Sequence, residues 1–351
     1  MQGQTDYWTM FADEAKRIGS PLYAHLAANI RDNAKLRQIA AHAKLGQPQA
    51  NLVLAAVHYL MLDGVQHPLA QHYPSVQPAA QPSGDAFPKF LDFCQMHERA
   101  VVELVSKRIT NTNEVARSTS LYPAFDHVAR QTSADLHMIE IGPSAGLNLN
   151  WDRYRYIYRR NGSEILSRGE PAALMTLQAE LRGDLTPPLA PSMPKVVSRV
   201  GLELNPVDLQ NPEDRLWLKA LIFPELTPRF ARLEGAIATA LSHPSKILFG
   251  NALELLEGVT QSLPSTGIPV VYHSFVTYQF STAMRERLQN TIVELSRSRP
   301  LYRVSIEWDG ADHPVAVTRY ENGSAEKTIL ADCNPHGAWL EWRLDPARGT
   351  K

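Results

Sequence analysis

The segment Leu136–Asn148, LHMIEIGPSAGLN, restricts the possible fold more than any other part of the chain. Its apolar residues at 136, 138, 139 and 141 suit a strand buried on both faces, as in a parallel sheet. Gly142 and Gly146 bracket a turn, where glycine permits backbone angles and close ligand contacts that a Cβ would block. Either Ser144 or Asn148 can cap a following helix. Strand, glycine loop and helix are the usual mouth of a nucleotide-type site in an open α/β sheet.

The composition of this loop favours a ligand without phosphate. A dinucleotide fingerprint has three glycines, the middle one admitting the pyrophosphate, whereas this loop reads Gly-Pro-Ser-Ala-Gly. Pro143 also has no backbone N–H to donate. Glu140, just before the first glycine, would repel a phosphate but suits the ammonium and sulfonium groups of S-adenosylmethionine. The pattern is similar to the first motif of class I S-adenosylmethionine-dependent methyltransferases; a fortuitous buried strand and turn is the alternative interpretation.

Length, charge and cysteine content limit the number of domains, the classes of binding partner and the cellular compartment that are expected. The chain has 351 residues, which suggests about two domains, and a net charge of −1, which gives no bulk attraction to nucleic acid or membranes. Two cysteines form no disulfide framework, which predicts a reducing cytoplasm. Signal peptide, membrane span and metal-ligand spacing are not visible. We expect a cytoplasmic protein that acts on a small molecule, with no metal and no nucleic acid or membrane partner.

Hydrophobic periodicity separates a helical part from an α/β part. Apolar residues recur at helical spacing before the glycine loop, which predicts a helical cap domain over 1–130. The remainder, 131–351, reads as an α/β domain with a β-rich insertion at about 151–195. In that insertion alternating Tyr and Arg residues lead into Asn161-Gly162, the dipeptide of a tight hairpin turn. The same alternation suits stacking on single-stranded nucleic acid, which the neutral overall charge disfavours.

Four further strands are predicted after the insertion, each followed by polar residues, and an antiparallel hairpin turning through Asn322-Gly323 closes the chain. The strands cover about 196–206, 246–252, 269–275 and 302–308. Parallel strands that end in such a hairpin are typical of class I methyltransferases and not of dinucleotide-binding folds. Because ligands of open α/β sheets bind at the carboxyl ends of the strands, the polar residues there should converge.

Two of these strand ends suit a nucleoside. Glu203 ends the second strand, where the two oxygens of a carboxylate can accept hydrogen bonds from both hydroxyls of a ribose. Asn251 and Ala252 follow the third strand, where a side-chain amide and a backbone N–H can bind the edge of adenine. The structural alternative makes Glu203 a solvated loop residue.

The fourth strand ends where a methyl acceptor would lie. His273 is the most plausible general base, because imidazole titrates near neutral pH; alternatively, it points into a helix layer. The other residues predicted to contact the substrate are Arg117, Ser274, Tyr278 and Tyr154.

A polar segment, Thr110–Arg117, precedes the helix that leads into the glycine-loop strand. One interpretation is a helix cap, with Asn113 as N-cap and Glu114 paired with Arg117 at the surface. The other is a lid or substrate-facing loop, which makes Asn113 and Glu114 catalytic candidates. The spacing leaves both open.

Five motifs cover nearly the whole chain: TNEVxR at 112–117, EIGxSAGLNL at 140–149, DRYxY at 152–156, RxGLELNPxD at 199–208 and GNALE at 250–254. Together they resemble the family of uncharacterised bacterial proteins called DUF2332. The resemblance implies a methyltransferase-like sheet and no established reaction. Glu203 and Asn251 both stand where that family usually has Asp; Glu203 can do the same job, whereas Asn251 changes the charge.

The leading hypothesis is an S-adenosylmethionine-dependent methyltransferase with a Rossmann-like sheet, an antiparallel C-terminal hairpin, a helical N-terminal domain and a β-hairpin insertion. The residues predicted to hold the cofactor are Glu140, Gly142, Ser144, Gly146, Asn148, Glu203, Asn251 and Ala252. A second hypothesis is a binding or sensor protein with the same fold and no methyl transfer, which a site rich in Asn allows. A third, a nicotinamide oxidoreductase, conflicts with the glycine loop.

Overall fold

The computed structural model describes residues 6–80, 86–111 and 113–344, so Thr112 of the polar segment lies outside the described residues. The chain divides into two units, one formed by 1–112 and 210–233 and the other by 113–209 and 234–351. This division differs from the predicted boundary at residue 130. The polar residues from 113 onward belong to the unit that carries the glycine loop, and 210–233 belong with the N-terminal helices.

The first unit is helical, as the periodicity predicts. Its helices are α1 (Tyr7–Arg17), α2 (Pro21–Arg31), α3 (Ala34–Ala40), α4 (Gln49–Leu62), α5 (Ala86–Met96) and α6 (Glu98–Lys107). They are joined by α8 (Pro212–Ala220) and the first part of α9 (Thr227–Ser242). Ser20, Asn33 and Asn211 begin α2, α3 and α8 by accepting a backbone N–H within the first turn. α4 is buried nearly all round and contributes to an apolar core that it shares with α1, α2, α3, α5, α6 and α8.

The second unit contains a single sheet with eleven described strands. They are β1 (Leu136–Ile141), β2 (Arg155–Arg160), β3 (Ser163–Arg168), β4 (Thr176–Arg182), β5 (Val196–Glu203), β6 (Lys246–Phe249), β7 (Ile268–Ser274), β8 (Leu301–Ile306), β9 (Pro314–Glu321), β10 (Ser324–Cys333) and β11 (Trp339–Trp342). Its helices are α7 (Ser118–Thr132), the remainder of α9, α10 (Ala252–Gln261) and α11 (Thr282–Leu295). The strand order is β3-β2-β4-β11-β10-β9-β8-β7-β1-β5-β6.

The predicted parallel strands lie side by side in this sheet. β1 pairs in parallel with β5 on one side and β7 on the other, and β6 and β8 extend the two sides in parallel. The chain therefore builds outward from β1 in one direction and then in the other, which places a topological switch point beside β1. β9 and β10 form the predicted antiparallel hairpin and continue the sheet beyond β8.

The insertion extends the same sheet. β2 and β3 form the predicted hairpin, with Asn161 and Gly162 at positive φ in the turn. β4 pairs in parallel with both β2 and β11, so the insertion joins the edge opposite β6. Tyr156 and Tyr158 are fully buried and donate hydrogen bonds to the carbonyls of Trp151 and Thr119. These two rings therefore lie inside the protein and are not available for stacking on nucleic acid.

The side chains of β1 point alternately to the two faces of the sheet. All six of its residues are buried, and Ile139 and Ile141 share an apolar cluster with Leu256 of α10 and Leu288 of α11. Since side chains alternate along a strand, Glu140 points to the opposite face. There its neighbour is Tyr272 of β7, whose ring packs edge-on against Phe125 of α7 with 4.9 Å between centroids.

Candidate functional site

The glycine loop at the end of β1 is a turn of left-handed residues. Gly142, Ser144 and Gly146 have φ of 68°, 55° and 72°. Their N–H groups donate to protein oxygens: Gly142 to the Leu202 carbonyl at 3.0 Å, Ser144 to Oε2 of Glu203 at 2.8 Å, and Gly146 to the Pro143 carbonyl at 2.8 Å. A phosphate would need donors of this kind, and these three already have acceptors.

Packing within the protein accounts for both glycines of the loop. A Cβ on Gly142 would lie 2.8 Å from Cγ2 of Val276, and one on Gly146 would lie 2.9 Å from Cδ1 of Ile247. Because the side chains of Val276 and Ile247 fill the space beside the two glycines, the protein itself makes the close contacts that the sequence suggests for a ligand. The positive φ of each position adds a second reason for glycine.

The chain after the loop differs from the predicted helix. It forms a short 3-10 segment, Leu147–Arg153, which is broken at Asn150 and leads directly into β2. Neither Ser144 nor Asn148 caps it, since Gly146 occupies the N-cap position. Asn148 is buried, and its Oδ1 accepts a hydrogen bond from the Ser118 hydroxyl at 2.9 Å. The amide of Asn148 thus connects the loop to the start of α7.

Glu140 is a buried carboxyl beneath the loop. It is 3% exposed, and Oε2 accepts a hydrogen bond from the Tyr272 hydroxyl at 3.0 Å. Burial raises the pKa of Glu140 to about 8; the Tyr272 hydrogen bond lowers it, Glu203 raises it further, and Arg117 lowers it. At neutral pH the group is therefore mainly protonated, and a nearby cation would favour its ionised form.

Glu203 stands at the end of β5, beside the loop. Oε2 accepts the N–H of Ser144 and Oε1 accepts that of Asn205 at 3.0 Å. A carboxylate has about four acceptor positions, so each oxygen retains capacity for one more donor. Its register partner on β6 is Phe249, which is 75% exposed, and the next residue, Leu204, is 58% exposed. Exposed apolar side chains beside a carboxylate suit a ligand that combines a flat apolar ring with a sugar, whose hydroxyl groups can donate to the carboxylate.

Asn251 and Ala252 begin α10 after β6. Asn251 is the N-cap of this helix: its Oδ1 accepts the Leu253 N–H at 3.0 Å, and its Nδ2 donates to Glu254 at 3.1 Å. The structural role of Asn251 is therefore clear, and Ala252 is buried in the first turn.

Within the second unit, Asn113 and Arg117 of the polar segment contact three parts of the chain near the carboxyl ends of the strands. Nδ2 of Asn113 donates to the Pro143 carbonyl of the glycine loop at 2.7 Å. Nε of Arg117 donates to the Pro335 carbonyl at 3.0 Å, and Nη1 donates to the Ser274 carbonyl at the end of β7 at 3.3 Å. The Arg117 guanidinium also lies 4.3 Å from the ring centroid of Phe275.

The helix-cap interpretation of this segment is wrong in its details. Glu114, not Asn113, is the cap, since its Oε1 accepts the Ala116 N–H at 3.2 Å in the 3-10 turn Val115–Arg117. Glu114 and Arg117 are both buried and therefore form no surface pair. Sequence spacing placed the pair outside because it could not show that β-strand loops cover this turn.

The loop between β10 and β11 was missed by the sequence argument. Gly337 approaches the turn so closely that a Cβ would lie 2.0 Å from the Ala116 carbonyl oxygen. Thr119 donates to the carbonyls of both Ala116 and Gly337. These contacts hold His336 beside Glu114, with 3.8 Å between Nδ1 and Oε2. The only local signal was the His336-Gly337 dipeptide after an Asn-Pro turn.

The end of β7 carries a buried network that involves His273. Its Nδ1 lies 2.7 Å from Oε1 of Glu307, and its Nε2 lies 2.8 Å from Nη2 and 3.0 Å from Nε of Arg303. Because a carboxylate only accepts and a guanidinium only donates, Nδ1 carries the hydrogen and Nε2 accepts. Burial lowers the pKa of His273. Both nitrogens are thus engaged by the protein, which does not favour His273 as a general base.

Glu307 also fixes the loop that follows β7. Its Oε1 accepts the N–H groups of Val276 and Thr277 at 2.9 and 3.0 Å, and Oε2 accepts that of Tyr278 at 3.3 Å. The loop begins at Phe275, a non-glycine residue with φ of 57°. It presents Tyr278 at the surface, 62% exposed.

The predicted site residues fall into three groups. The residues that the structure connects around the carboxyl ends of β1, β5 and β7 are Asn113, Glu114, Arg117, Glu140, Gly142, Ser144, Gly146, Asn148, Glu203 and Ser274. Asn251, Ala252 and Tyr278 belong to neighbouring loops and helix ends. Tyr154 is buried, and its hydroxyl donates to the Leu147 carbonyl at 2.6 Å, so this hydroxyl lies inside the protein and not at the surface. His273 lies in the interior.

Within the described ranges, no helix is both long and apolar enough to cross a bilayer, and no three His, Cys, Asp or Glu side chains are grouped to bind a metal ion. No curated protein and no solved structure matches the chain. A family model described as "Uncharacterized protein conserved in bacteria (DUF2332)" matches residues 6–342. The match confirms the resemblance seen in the five motifs, and the chain belongs to the DUF2332 family.

Proposed function

We propose that this protein is an S-adenosylmethionine-dependent methyltransferase acting on a small molecule. The observation that carries the proposal is the Glu203 carboxylate, which accepts the Ser144 N–H of the glycine loop. This contact uses a loop donor and brings a negative charge to the loop, so a ligand without phosphate is favoured over a dinucleotide. The same feature argues against a nicotinamide oxidoreductase.

The residues present fit such a cofactor. Glu203 would accept the ribose hydroxyls through its remaining acceptor positions, beside the exposed side chains of Leu204 and Phe249. Glu140 would ionise in response to the cationic part of the ligand, since burial is the main cause that raises its pKa and a nearby cation opposes that effect. The hydroxyl of Ser144 is buried and has no hydrogen-bond partner among the residues that the structure describes, which leaves a polar group for a ligand to satisfy.

When bound, S-adenosylmethionine supplies an electrophilic methyl group. The protein would contribute mainly alignment, which is the largest requirement of a displacement at carbon. Arg117 and Phe275 contact each other at the end of β7, where the acceptor would lie, and Asn113 and Glu114 lie in the adjoining segment. The Ser274 carbonyl accepts a hydrogen bond from Arg117 and helps to fix its position.

A second candidate is a sensor that binds the cofactor without transferring its methyl group. It is favoured by His273, whose two nitrogens are held by Glu307 and Arg303. A protein of this kind would bind S-adenosylmethionine and release no S-adenosylhomocysteine.

Calorimetry on the full chain tests the proposal, with S-adenosylmethionine, S-adenosylhomocysteine and NADH as titrants. We expect saturable binding of the first two, weakened at least about tenfold in Glu203→Gln, which is about 1.4 kcal/mol. Glu257→Gln, an exposed carboxylate on α10, is the matched control and should bind normally. Absence of binding up to about 1 mM, roughly −4 kcal/mol, would refute the cofactor assignment. Binding without S-adenosylhomocysteine formation would favour the sensor.

A further inference from the structure

A cavity in the second unit lies beside the C-terminal turns of α7. Its volume is about 260 Å³, and it is lined by His127, Arg130, Gln131, Pro188 and Leu344. The first three share one face of α7, because residues three and four positions apart lie on the same side of a helix. Ser118, at the other end of α7, contacts Asn148 near the glycine loop. A rise of about 1.5 Å per residue separates Ser118 from His127 by about 13 Å, so the cavity is distinct from the proposed cofactor site.

His127 is a buried side chain that lines the cavity and has no partner. It is 7% exposed, and its ring makes no hydrogen bond with any residue that the structure describes. Burial, and then the charge of Arg130, lower the pKa of His127 to about 4, so the imidazole is neutral at pH 7. A neutral imidazole has one N–H donor and one acceptor nitrogen. Because an unused donor in the interior costs free energy, a ligand that accepts from His127 is favoured.

Arg130 places a guanidinium beside this ring. Its Nε donates to Oδ2 of Asp126 at 2.7 Å, and the guanidinium makes no other hydrogen bond within the described part of the chain. The Nη1 and Nη2 groups are therefore available to a ligand. Two neighbouring N–H groups of a guanidinium match the two oxygens of a carboxylate, which makes a carboxylate the best-fitting anion.

The chain between β4 and β5 forms a fixed wall of the cavity. Asp126 is fully buried and accepts the Ala190 N–H at 3.1 Å. Arg168 donates to the carbonyls of Leu189 and Ala190 at 3.1 and 2.6 Å. The guanidinium groups of Arg130 and Arg168 thus face the single carboxylate of Asp126, and this positive excess favours an anionic ligand. A wall that is already ordered also lowers the entropic cost of binding.

Pro188 and Leu344 give the cavity an apolar part. The Leu344 carbonyl accepts the Nε1–H of Trp342 at 2.9 Å, which fixes this side of the cavity. Ligand pockets usually have volumes of about 300–1,000 Å³, so this cavity suits a molecule smaller than a nucleotide. An inorganic anion would leave both apolar side chains without a contact, whereas a carboxylate with a short apolar body would cover them.

We propose that this cavity binds a small organic carboxylate. Its oxygens accept hydrogen bonds from the Nη groups of Arg130 and from the ring N–H of His127, and its apolar body packs against Pro188 and Leu344. The inference is independent of the proposed methyltransferase function, because its residues lie at the opposite end of α7 from the glycine loop.

Ring spectra of the full chain with ¹³C-labelled histidine test the proposal, with the His127 signal assigned by its loss in His127→Gln. Benzoate is the probe, benzamide has the same shape without the charge, and inorganic phosphate has the charge without the apolar body. We expect benzoate to shift the His127 signal saturably with a Kd of about 1 mM or lower, and the other two to bind at least about tenfold more weakly. No shift at about 10 mM benzoate would overturn the proposal. An equal affinity for benzamide would overturn the carboxylate assignment, and an equal affinity for phosphate would overturn the organic class.

Substitutions of Arg130 test its role in the same spectra. Arg130→Gln should weaken benzoate binding about 10- to 100-fold, because hydrogen bonds to charged groups contribute most. Arg130→Lys keeps a cation for Asp126 but loses the paired N–H groups, so it should weaken binding less than Arg130→Gln does. Arg297→Gln removes an exposed arginine of the same unit that pairs with Glu294 and should bind benzoate normally. Thermal denaturation identifies the folded variants, and undiminished binding by either folded Arg130 variant would overturn the assignment of Arg130.

Discussion

Tyr272 donates a hydrogen bond from its hydroxyl to Oε2 of Glu140 across 3.0 Å, between neighbouring parallel strands. The pair lies in the protein interior, where burial raises the pKa of Glu140 to about 8. This carboxyl is therefore mainly protonated at neutral pH and ionises just above it. It makes both the stability of the protein and its response to a cationic ligand depend on pH.

The first prediction concerns this dependence of stability. The pKa of Glu140 is raised from 4.5 to about 8 on folding, so between these values the folded state binds more protons than the unfolded state. Its contribution to stability is therefore greatest at low pH and declines as the pH rises through this window. Relative to the unsubstituted protein, Glu140→Gln should gain on the order of 4 kcal/mol in free energy of unfolding from pH 5 to pH 8.

Urea denaturation of both proteins at the two pH values measures this difference. Glu257→Gln, on the exposed face of α10, is the control and should show a difference that is independent of pH. A parallel pH response of Glu140→Gln and the unsubstituted protein would show that Glu140 titrates normally in the folded state.

The second prediction links the same carboxyl to ligand binding. If the cationic part of S-adenosylmethionine approaches Glu140, the ionised form becomes favoured and a proton leaves the protein. Near pH 7 we expect release of roughly one proton per bound ligand. Calorimetry in buffers of different ionisation enthalpy measures this number, which should fall to about zero in Glu140→Gln. Heats that do not vary with the buffer would contradict the proposed contact.

The third prediction concerns the loop after β7. Burial would raise the pKa of Glu307, but hydrogen bonds from His273 and from the N–H groups of Val276 and Thr277 lower it to about 2. Its stabilising contribution is thus present above pH 4.5 and lost as the pH falls toward 2. Glu307→Gln should cost about 3 kcal/mol at pH 7, because it removes one partner of a buried pair.

Thermal or urea denaturation measures the loss of unfolding free energy that is expected for Glu307→Gln. Glu321→Gln is a matched control, since its ion pair with Arg319 has exposed side chains and should contribute less than about 1 kcal/mol. Equal effects of the two substitutions would mean that the Glu307 network adds nothing beyond a surface ion pair.

The fourth prediction uses two glycines with similar backbone angles. Gly337 has φ of 71° and Gly162 has φ of 79°, but only a Cβ on Gly337 would collide with backbone, at 2.0 Å from the Ala116 oxygen. Gly162→Ala should cost about 1 kcal/mol for its left-handed conformation. Gly337→Ala should cost several times more, because the Cβ would also force the backbone of the β10–β11 loop or of Ala116 to move, and urea denaturation of the two variants measures the difference. Equal losses of stability in Gly162→Ala and Gly337→Ala would show that the loop between β10 and β11 moves aside without cost.

Much of the second unit could be predicted because its signals are local. Buried apolar runs mark the parallel strands, and Asn-Gly dipeptides mark both hairpins, since the backbone of the tight turns requires positive φ. The placement of β4 beside β11 could not be predicted, because no local pattern identifies a strand partner so distant in sequence.

The sequence allowed only those site residues to be predicted that lie at the ends of strands. Glu140 and Glu203 follow apolar runs, and a strand end is visible in sequence. The partners that decide what a side chain can do are not visible. No residue near His273 in sequence indicates that Glu307 and Arg303 contact its two nitrogens. No residue near Glu114 in sequence indicates that His336 lies beside it. Their pairings arise when loops that are distant in sequence meet at one edge of the sheet.

The pairing of β4 with β11 has a consequence for the synthesis of the chain. Glu180 lies opposite Trp339, 159 positions later, so residues 155–182 leave the ribosome long before the strand that connects them to the rest of the sheet. Until then the edge of β4 that pairs with β11 has no native partner. We expect the nascent chain to depend on chaperones during this interval. A premature stop before Trp339 would leave the edges of β4 and β10 open for pairing with other chains.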